Sequence, residues 1–272
     1  MCDNKPLKDK VALITGAAGA IGYGICEVLL ENDCNVVATD LPGQKLDDFA
    51  KDLDKLAPGK SVGLPMDVTD VKSVKTALVN AVKKFGRLNI VVHNAGIAHV
   101  SEIMQMDIET FQFLEKVNVE GTLIVLKEVG KKLAQLGKGG DIVIMSTKNV
   151  PSPSAGFGAY SCTKAACHQL GRIASLEFAQ YDIRVNMVAP DAVFSEGKYK
   201  SGLWNLVGAE RMKVRGICEK ELHAYYRNRN LLKASVTGRH VANAVLFFVT
   251  RQTPTTGATI PVDGGLPDAT PR

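Results

Sequence analysis

The chain has 272 residues, 46% of them hydrophobic and 22% charged, ordinary proportions for a folded water-soluble protein with a sizeable core. No apolar run approaches the roughly 18 residues of a membrane span. The net charge of +5 is modest, and no dense basic run or aromatic-basic stripe points to nucleic acid.

The opening MCDNKPLKDK is polar and lacks the build of a secretory leader. The six cysteines are scattered with no C-x-x-C pair, and the five histidines lie far apart. These features predict free thiols in a reducing, cytoplasmic setting and no metal site.

KVALITGAAGAIG begins as an apolar strand and breaks into glycine, and GYGICEVLLEND continues with helical spacing of apolar residues. NVVATD predicts a second strand ending in Asp40, KLDDFAKDLDKL an amphipathic helix, and SVGLPMDVTD a third strand with a turn. VKSVKTALVNAVKKFG predicts a helix closed by glycine. LNIVVHNAG is a buried strand, and ETFQFLEKVNVEGTLIVLKEVGKKLAQLG one long helix. GDIVIMST, AYSCTKAACHQLGRIASLEFAQY and IRVNMVAP predict strand, helix and strand. An irregular, helix-rich stretch runs to Lys233, then a helix RHVANAVLFFVT and a last strand ATIPVDGG.

This alternation predicts right-handed crossovers and a doubly wound parallel α/β sheet of the Rossmann type, with helices on both faces. No linker or repeat divides it, so one domain over 1–272 is expected, with 195–233 as a helical substrate lid.

Gly16, Gly19 and Gly22 follow the first strand and open the first helix. Glycine there lets the backbone turn sharply and approach a pyrophosphate, which the helix N-terminus then binds through its amides and dipole. Asp40 stands where a carboxylate can accept hydrogen bonds from ribose hydroxyls and repel a 2′-phosphate. Ala17, Ala18 and Leu41 offer no cation to such a phosphate, so NAD is expected over NADP. The bland reading of Asp40 is a turn or capping acid.

Thr15-Gly16 with Gly22, Asp67 after the third strand, HNAG at 93–96, Asn118, Tyr160-x-x-x-Lys164 and Asn186-x-x-x-Pro190 fall in order. In these features the chain resembles the short-chain dehydrogenase/reductase family over essentially its whole length. The resemblance implies an NAD-dependent oxidoreductase and a homotetramer. It implies that Tyr160 exchanges a proton with the substrate oxygen, that Lys164 lowers the tyrosine pKa and holds the nicotinamide ribose, and that Asn118 holds a water linking Lys164 to solvent. By position alone Asn118 reads equally well as a helix kink. Tyr160 and Lys164 are one helical turn apart, so both side chains point the same way.

The position that usually carries serine holds Thr147 here, with Ser146 beside it as the alternative; either hydroxyl can donate to a carbonyl oxygen. Cofactor contacts are expected from Gly16, Gly19, Ala20, Ile21 and Gly22, and from Asp40 and Leu41. Asp67 and Val68 are assigned to the adenine edge. Asn94, Ala95 and Gly96 are assigned beneath the ribose, and Pro190, Asp191, Val193 and Ser195 to the nicotinamide side. His93 replaces a more usual asparagine and reads as a packed strand residue.

The lid and ending are also similar to the dehydrogenase half of bifunctional rhamnulose-phosphate aldolase/lactaldehyde dehydrogenases. That likeness implies a small polar hydroxyaldehyde, polyol or sugar, contacted by Ser146, Lys148 and Asn149. An epimerase or dehydratase with tightly held NAD, or a non-catalytic NAD-binding regulator, are the rival readings. Residues 195–233 hold nine Lys/Arg against four Glu, which together with Lys148 predicts an anionic substrate.

Overall fold

The computed structural model describes residues 5–195, 197–200, 208–209, 211–212 and 216–267. Seven parallel strands form one sheet in the order β3-β2-β1-β4-β5-β6-β9. They are β1 Val11–Thr15, β2 Asn35–Asp40, β3 Ser61–Pro65, β4 Ile90–His93, β5 Gly140–Met145, β6 Ile183–Pro190 and β9 Thr259–Val262. β1, β4 and β5 are buried along their whole length. A strand covered on both faces has no polar side to alternate with, which is why these segments read as continuous apolar runs.

One face carries α1 Ala20–Glu31, α2 Gln44–Leu56 and α8 Gly238–Val249, whose apolar sides close a cluster around Ile14, Ile25, Phe49 and Phe248. The other carries α3 Val71–Phe85, α5 Gly121–Leu136 and α6 Gly158–Phe178 over Leu13, Leu78, Leu133 and Ile142. α1 and α8 meet through glycine. A Cβ at Gly24 would stand 2.4 Å from the Gly238 carbonyl carbon, and one at Gly238 2.4 Å from the Ala20 oxygen. α3 ends as expected, with Asp70 capping its start and Gly86 in the left-handed region at φ 75°.

The chain reverses direction across the sheet between β1 and β4, so a crevice opens at their carboxyl ends, beside Thr15 and His93. Crevices of this kind are where doubly wound sheets bind ligands.

Two expectations change. The long helix from Ile108 is α4 Ile108–Leu114 and α5, joined by a π-helical turn at Glu115–Glu120 that contains Asn118. Helical periodicity runs through both segments, so the extra residue of the turn leaves no mark in the apolar pattern. Of the lid at 195–233, the described residues include the helix α7 Glu219–Arg229, and a short parallel pair, β7 Val193–Phe194 with β8 Val236–Thr237, flanks it. Leu222 and Tyr226 of α7 are buried with Phe194. Lys213 and Arg215 lie outside the described residues.

Candidate active site

The cofactor-side residues converge on the crevice. Gly16 is left-handed (φ 59°), and a Cβ there would stand 2.9 Å from Ala95 Cα. A Cβ at Gly22 would stand 2.4 Å from the Ala17 oxygen. Glycine is thus required at both positions for the turn to close.

Gly19 precedes α1 without a side-chain cap. The first helical amides, Ala20, Ile21 and Gly22, therefore have no partner within the helix and form a donor cradle for an anion. Asn94 locks the turn to β4, with Nδ2 donating to the Thr15 oxygen (3.1 Å) and the Gly16 oxygen (2.8 Å).

The Asp40 carboxylate accepts from the Ala18 amide (3.0 Å) and the Leu41 amide (2.9 Å). It is a turn acid, and its remaining lone pairs leave it able to accept ribose hydroxyls. Asp67 accepts from the Thr69 amide and hydroxyl, and Val68 is buried against Gly121. Leu41 and Asp67 line a groove together with Lys72, a cation that reading positions 17, 18 and 41 alone does not bring into view. This donor set and glycine geometry fit a dinucleotide.

Tyr160 sits in the first turn of α6 and Lys164 one turn later, both buried. Thr147, just beyond the end of β5, lies near enough to the Tyr160 hydroxyl for its side chain to favour the phenolate. Ser146 turns the other way, to His168 Nδ1 at 3.0 Å. Of the two hydroxyls, Thr147 is therefore the one that reaches the tyrosine. Lys164 Nζ donates to the Met145 oxygen at 2.9 Å, and a Cβ at Gly96 would stand 3.2 Å from both Lys164 Nζ and Asn118 Oδ1.

The Asn118 side chain bonds both backbone groups of Ile97, at 2.9 Å each, and the Thr163 hydroxyl at 3.0 Å. The π-turn delivers it there, so the kink and the site are one feature.

Burial governs the charges. It pushes Tyr160 up to about 12, against the lowering effect of the nearby Thr147 side chain. It also lowers Lys164. Removal from water penalises phenolate and ammonium alike, and Lys164 is not among the groups that move the tyrosine pKa. Burial drives His93 down to about 3, so it is neutral.

The neutral His93 joins a chain that composition does not reveal. Thr15 Oγ1 accepts from the Asn94 and Ala95 amides (3.0 and 2.9 Å), so its proton goes to His93 Nδ1 at 3.1 Å. His93 Nε2–H then donates to Thr122 Oγ1 at 2.9 Å, and Thr122 donates to the Asn118 carbonyl at 2.5 Å. The bonds thus run from the glycine turn to the π-turn. The HNAG motif marks one end, but Thr122, α5 residue and partner to both, carries no sequence signal.

Three of the seven described lid cations, Lys198, Arg229 and Lys233, are committed to partners within the chain. Lys198 and Tyr199 both bond Asp52 of α2, at 2.6 and 2.5 Å. Arg229 of α7 grips Asp191, just after β6, through Nε and Nη2. Lys200, Lys220 and Arg227 are exposed, and Lys233 donates to the Asn228 oxygen. Lys148 bonds the Ser152 oxygen (3.1 Å) and Ser154 Oγ (2.8 Å), and Asn149 is buried. The Lys148 amide donates to the Pro190 oxygen, and Val193 is buried in β7. Ser195 is partly buried at the end of that strand.

The short chain dehydrogenase family model matches residues 10–204. The chain is 30% identical over 261 residues to L-2,3-butanediol dehydrogenase of Corynebacterium glutamicum, covering 94% of this chain and 98% of that one. It is 32% identical over 265 residues to the uncharacterized oxidoreductase YuxG of Bacillus subtilis, covering 97% of this chain, and it spans only 38% of that relative's length. A short-chain type dehydrogenase/reductase from Mycobacterium ulcerans superposes with a TM-score of 0.83 at 27% identity, over 96% of this chain and 90% of that one. An actinorhodin polyketide ketoreductase solved with NADPH shares the fold, with a TM-score of 0.85 at 23% identity over 94% and 97%. With the glycine turn, the π-turn asparagine and the tyrosine–lysine pair assembled in one crevice, these matches make the chain a member of the short-chain dehydrogenase family of oxidoreductases.

Proposed function

We propose that the protein is an NAD-dependent dehydrogenase that interconverts a secondary alcohol and its carbonyl in a small polar substrate, a hydroxyaldehyde, polyol or sugar derivative. The observation that carries this is the pair Tyr160 and Lys164, buried one helical turn apart at the start of α6 with Thr147 beside the phenol. Bound nicotinamide would take or return the hydride, and its oxidised form would add positive charge near the phenol.

Everything else falls to this chain. The Gly16–Gly22 turn and the first amides of α1 hold the pyrophosphate. Asp40 takes the ribose hydroxyls, with Asp67, Val68 and Leu41 around the adenine and Asn94, Ala95 and Gly96 beneath the ribose. Pro190, Asp191, Val193 and Ser195 flank the nicotinamide. Thr147 donates to the substrate oxygen and orients it. Tyr160 exchanges the proton at that oxygen, and Lys164 stabilises the phenolate. Asn118 steadies the loop at Ile97 and holds the water that links Lys164 to solvent. Ser146 and Asn149 support the substrate loop from behind.

The preference for NAD rests on the carboxylate of Asp40, which repels a 2′-phosphate. The likeness to the dehydrogenase half of bifunctional aldolase/dehydrogenases supports a role in carbohydrate metabolism. Exposed apolar side chains on α5 and α6, Leu123, Ile173 and Leu176, support self-association, read here as a tetramer of one-domain chains in the cytoplasm.

The test is NADH formation, followed by absorbance, with a panel of small diols and polyols in NAD and in NADP. Tyr160→Phe should bind NAD as before and lose turnover by about 10²–10⁴-fold. Retention of more than a few per cent of activity would remove Tyr160 from the mechanism.

A further inference from the structure

Arg211 stands apart from the other described cations of the lid. Its guanidinium carbon lies 4.6 Å from the centre of the Phe157 ring. Its Nε is buried without a hydrogen-bond partner. No carboxylate among the described residues lies within ion-pair distance of it, whereas Lys198 and Arg229 each have one.

A buried, charged donor left without an acceptor is costly. Such a group calls for an acceptor supplied from outside the protein. Phe157 is the residue that precedes α6, and its ring meets that of Tyr160 edge-on with centroids 6.1 Å apart. Phe157 therefore links the guanidinium to the phenol, its ring touching both side chains.

We propose that Arg211 forms an anion subsite of this active site and that the substrate is a small hydroxy acid whose carboxylate it binds. The proposal rests on the oxidoreductase reading above and replaces its neutral substrates with a hydroxy acid. A guanidinium stacked on a ring keeps its N–H edge for planar partners, and Nε–H with a neighbouring Nη–H matches the two oxygens of a carboxylate. Charge also selects the carboxylate. One guanidinium balances one negative charge, while a phosphate monoester brings nearly two. Lys148, buried on the loop after β5, already donates to Ser152 and Ser154. In the reaction the carboxylate is unchanged: the carbinol carbon loses hydride to the nicotinamide, the hydroxyl proton passes to Tyr160, and an oxo acid results.

The test pairs each acid with its neutral amide, lactate with lactamide and glycerate with glyceramide, and adds glycerol phosphate. NADH formation is measured with NAD present. Binding is measured by calorimetry with NADH present, where the alcohols cannot turn over. Each acid should exceed its amide by about 10- to 100-fold. Arg211→Gln should reduce that ratio by a similar factor, and Arg211→Lys by less. The acid-to-amide ratio in the unaltered protein stands as a test even if a variant fails to fold.

Equal use of acid and amide, an unchanged ratio in Arg211→Gln, preference for glycerol phosphate, or no carboxylate binding would each overturn the subsite. Arg211-dependent carboxylate binding with no NADH from any compound would uphold the subsite and sink the oxidoreductase reading. NADH from neutral diols with no preference for acids would do the reverse.

Discussion

Tyr160 shows how burial sets the direction of proton flow. With its pKa pushed up to about 12, the phenol is protonated at neutral pH, the form that donates to an alkoxide during carbonyl reduction. Alcohol oxidation needs the phenolate, whose share grows with pH. Oxidative kcat/KM should therefore rise by about one decade per pH unit through the neutral range, while reduction stays level there and falls in alkali. Steady-state profiles in both directions check this; an oxidation rate indifferent to pH would assign the proton to another group.

A second residue, Thr122, tests the buried chain. Thr122→Val leaves the buried His93 Nε2–H without its acceptor, while the Asn118 carbonyl keeps the Cys167 thiol, which should cost about 1–3 kcal/mol in urea unfolding. Asp40→Ala should weaken NAD binding and narrow the preference over NADP, read from the two dissociation constants.

At the scale of elements, the cofactor turn depends on how closely α1 and α8 approach. Gly238→Ala would drive a methyl into the Ala20 carbonyl, at 2.4 Å before relaxation. The helices must part, at about 1–3 kcal/mol, and because Ala20 opens α1, the anion cradle shifts with them. The expected result is a lower melting temperature together with weaker NAD binding, although residue 238 lies on the far helix. The α4–α5 junction shows the same dependence from the other side of the sheet: a single π-turn aims Asn118 at Ile97 and Thr163.

Across the whole molecule, two ionic clamps tie the lid to the cofactor half. Arg229 joins α7 to Asp191, and Asp52 of α2 holds Lys198 and Tyr199. Lys198, Tyr199 and Lys55 hold the Asp52 carboxyl well below the usual carboxylate range. A depressed folded-state pKa stabilises the fold above the unfolded value of about 4. The clamp is thus intact at neutral pH and is lost only as acid protonates Asp52 well below that value. Asp52→Ala should quicken proteolysis within the lid and raise KM more than it lowers kcat, measured by limited digestion and steady-state kinetics.

The sheet, its strand order class and the crevice were legible in the chain because each follows from local pattern. Apolar runs alternate with helical periods, and glycines stand where the backbone must turn at Gly16 and Gly22. The tyrosine–lysine pair was equally legible, since four residues make one helical turn wherever the helix lies. What pattern could not supply was the meeting of distant segments. Ser146 and Thr147 are neighbours with the same functional group, and only the path of the chain beyond β5 sends one to His168 and the other to Tyr160. The lid's basic residues looked alike as charges. Tertiary structure paired Lys198 and Arg229 with carboxylates far away in sequence and left Arg211 against Phe157. Hydrogen bonds and ion pairs depend on distances of a few ångströms between remote residues, and those distances exist only once the chain has folded.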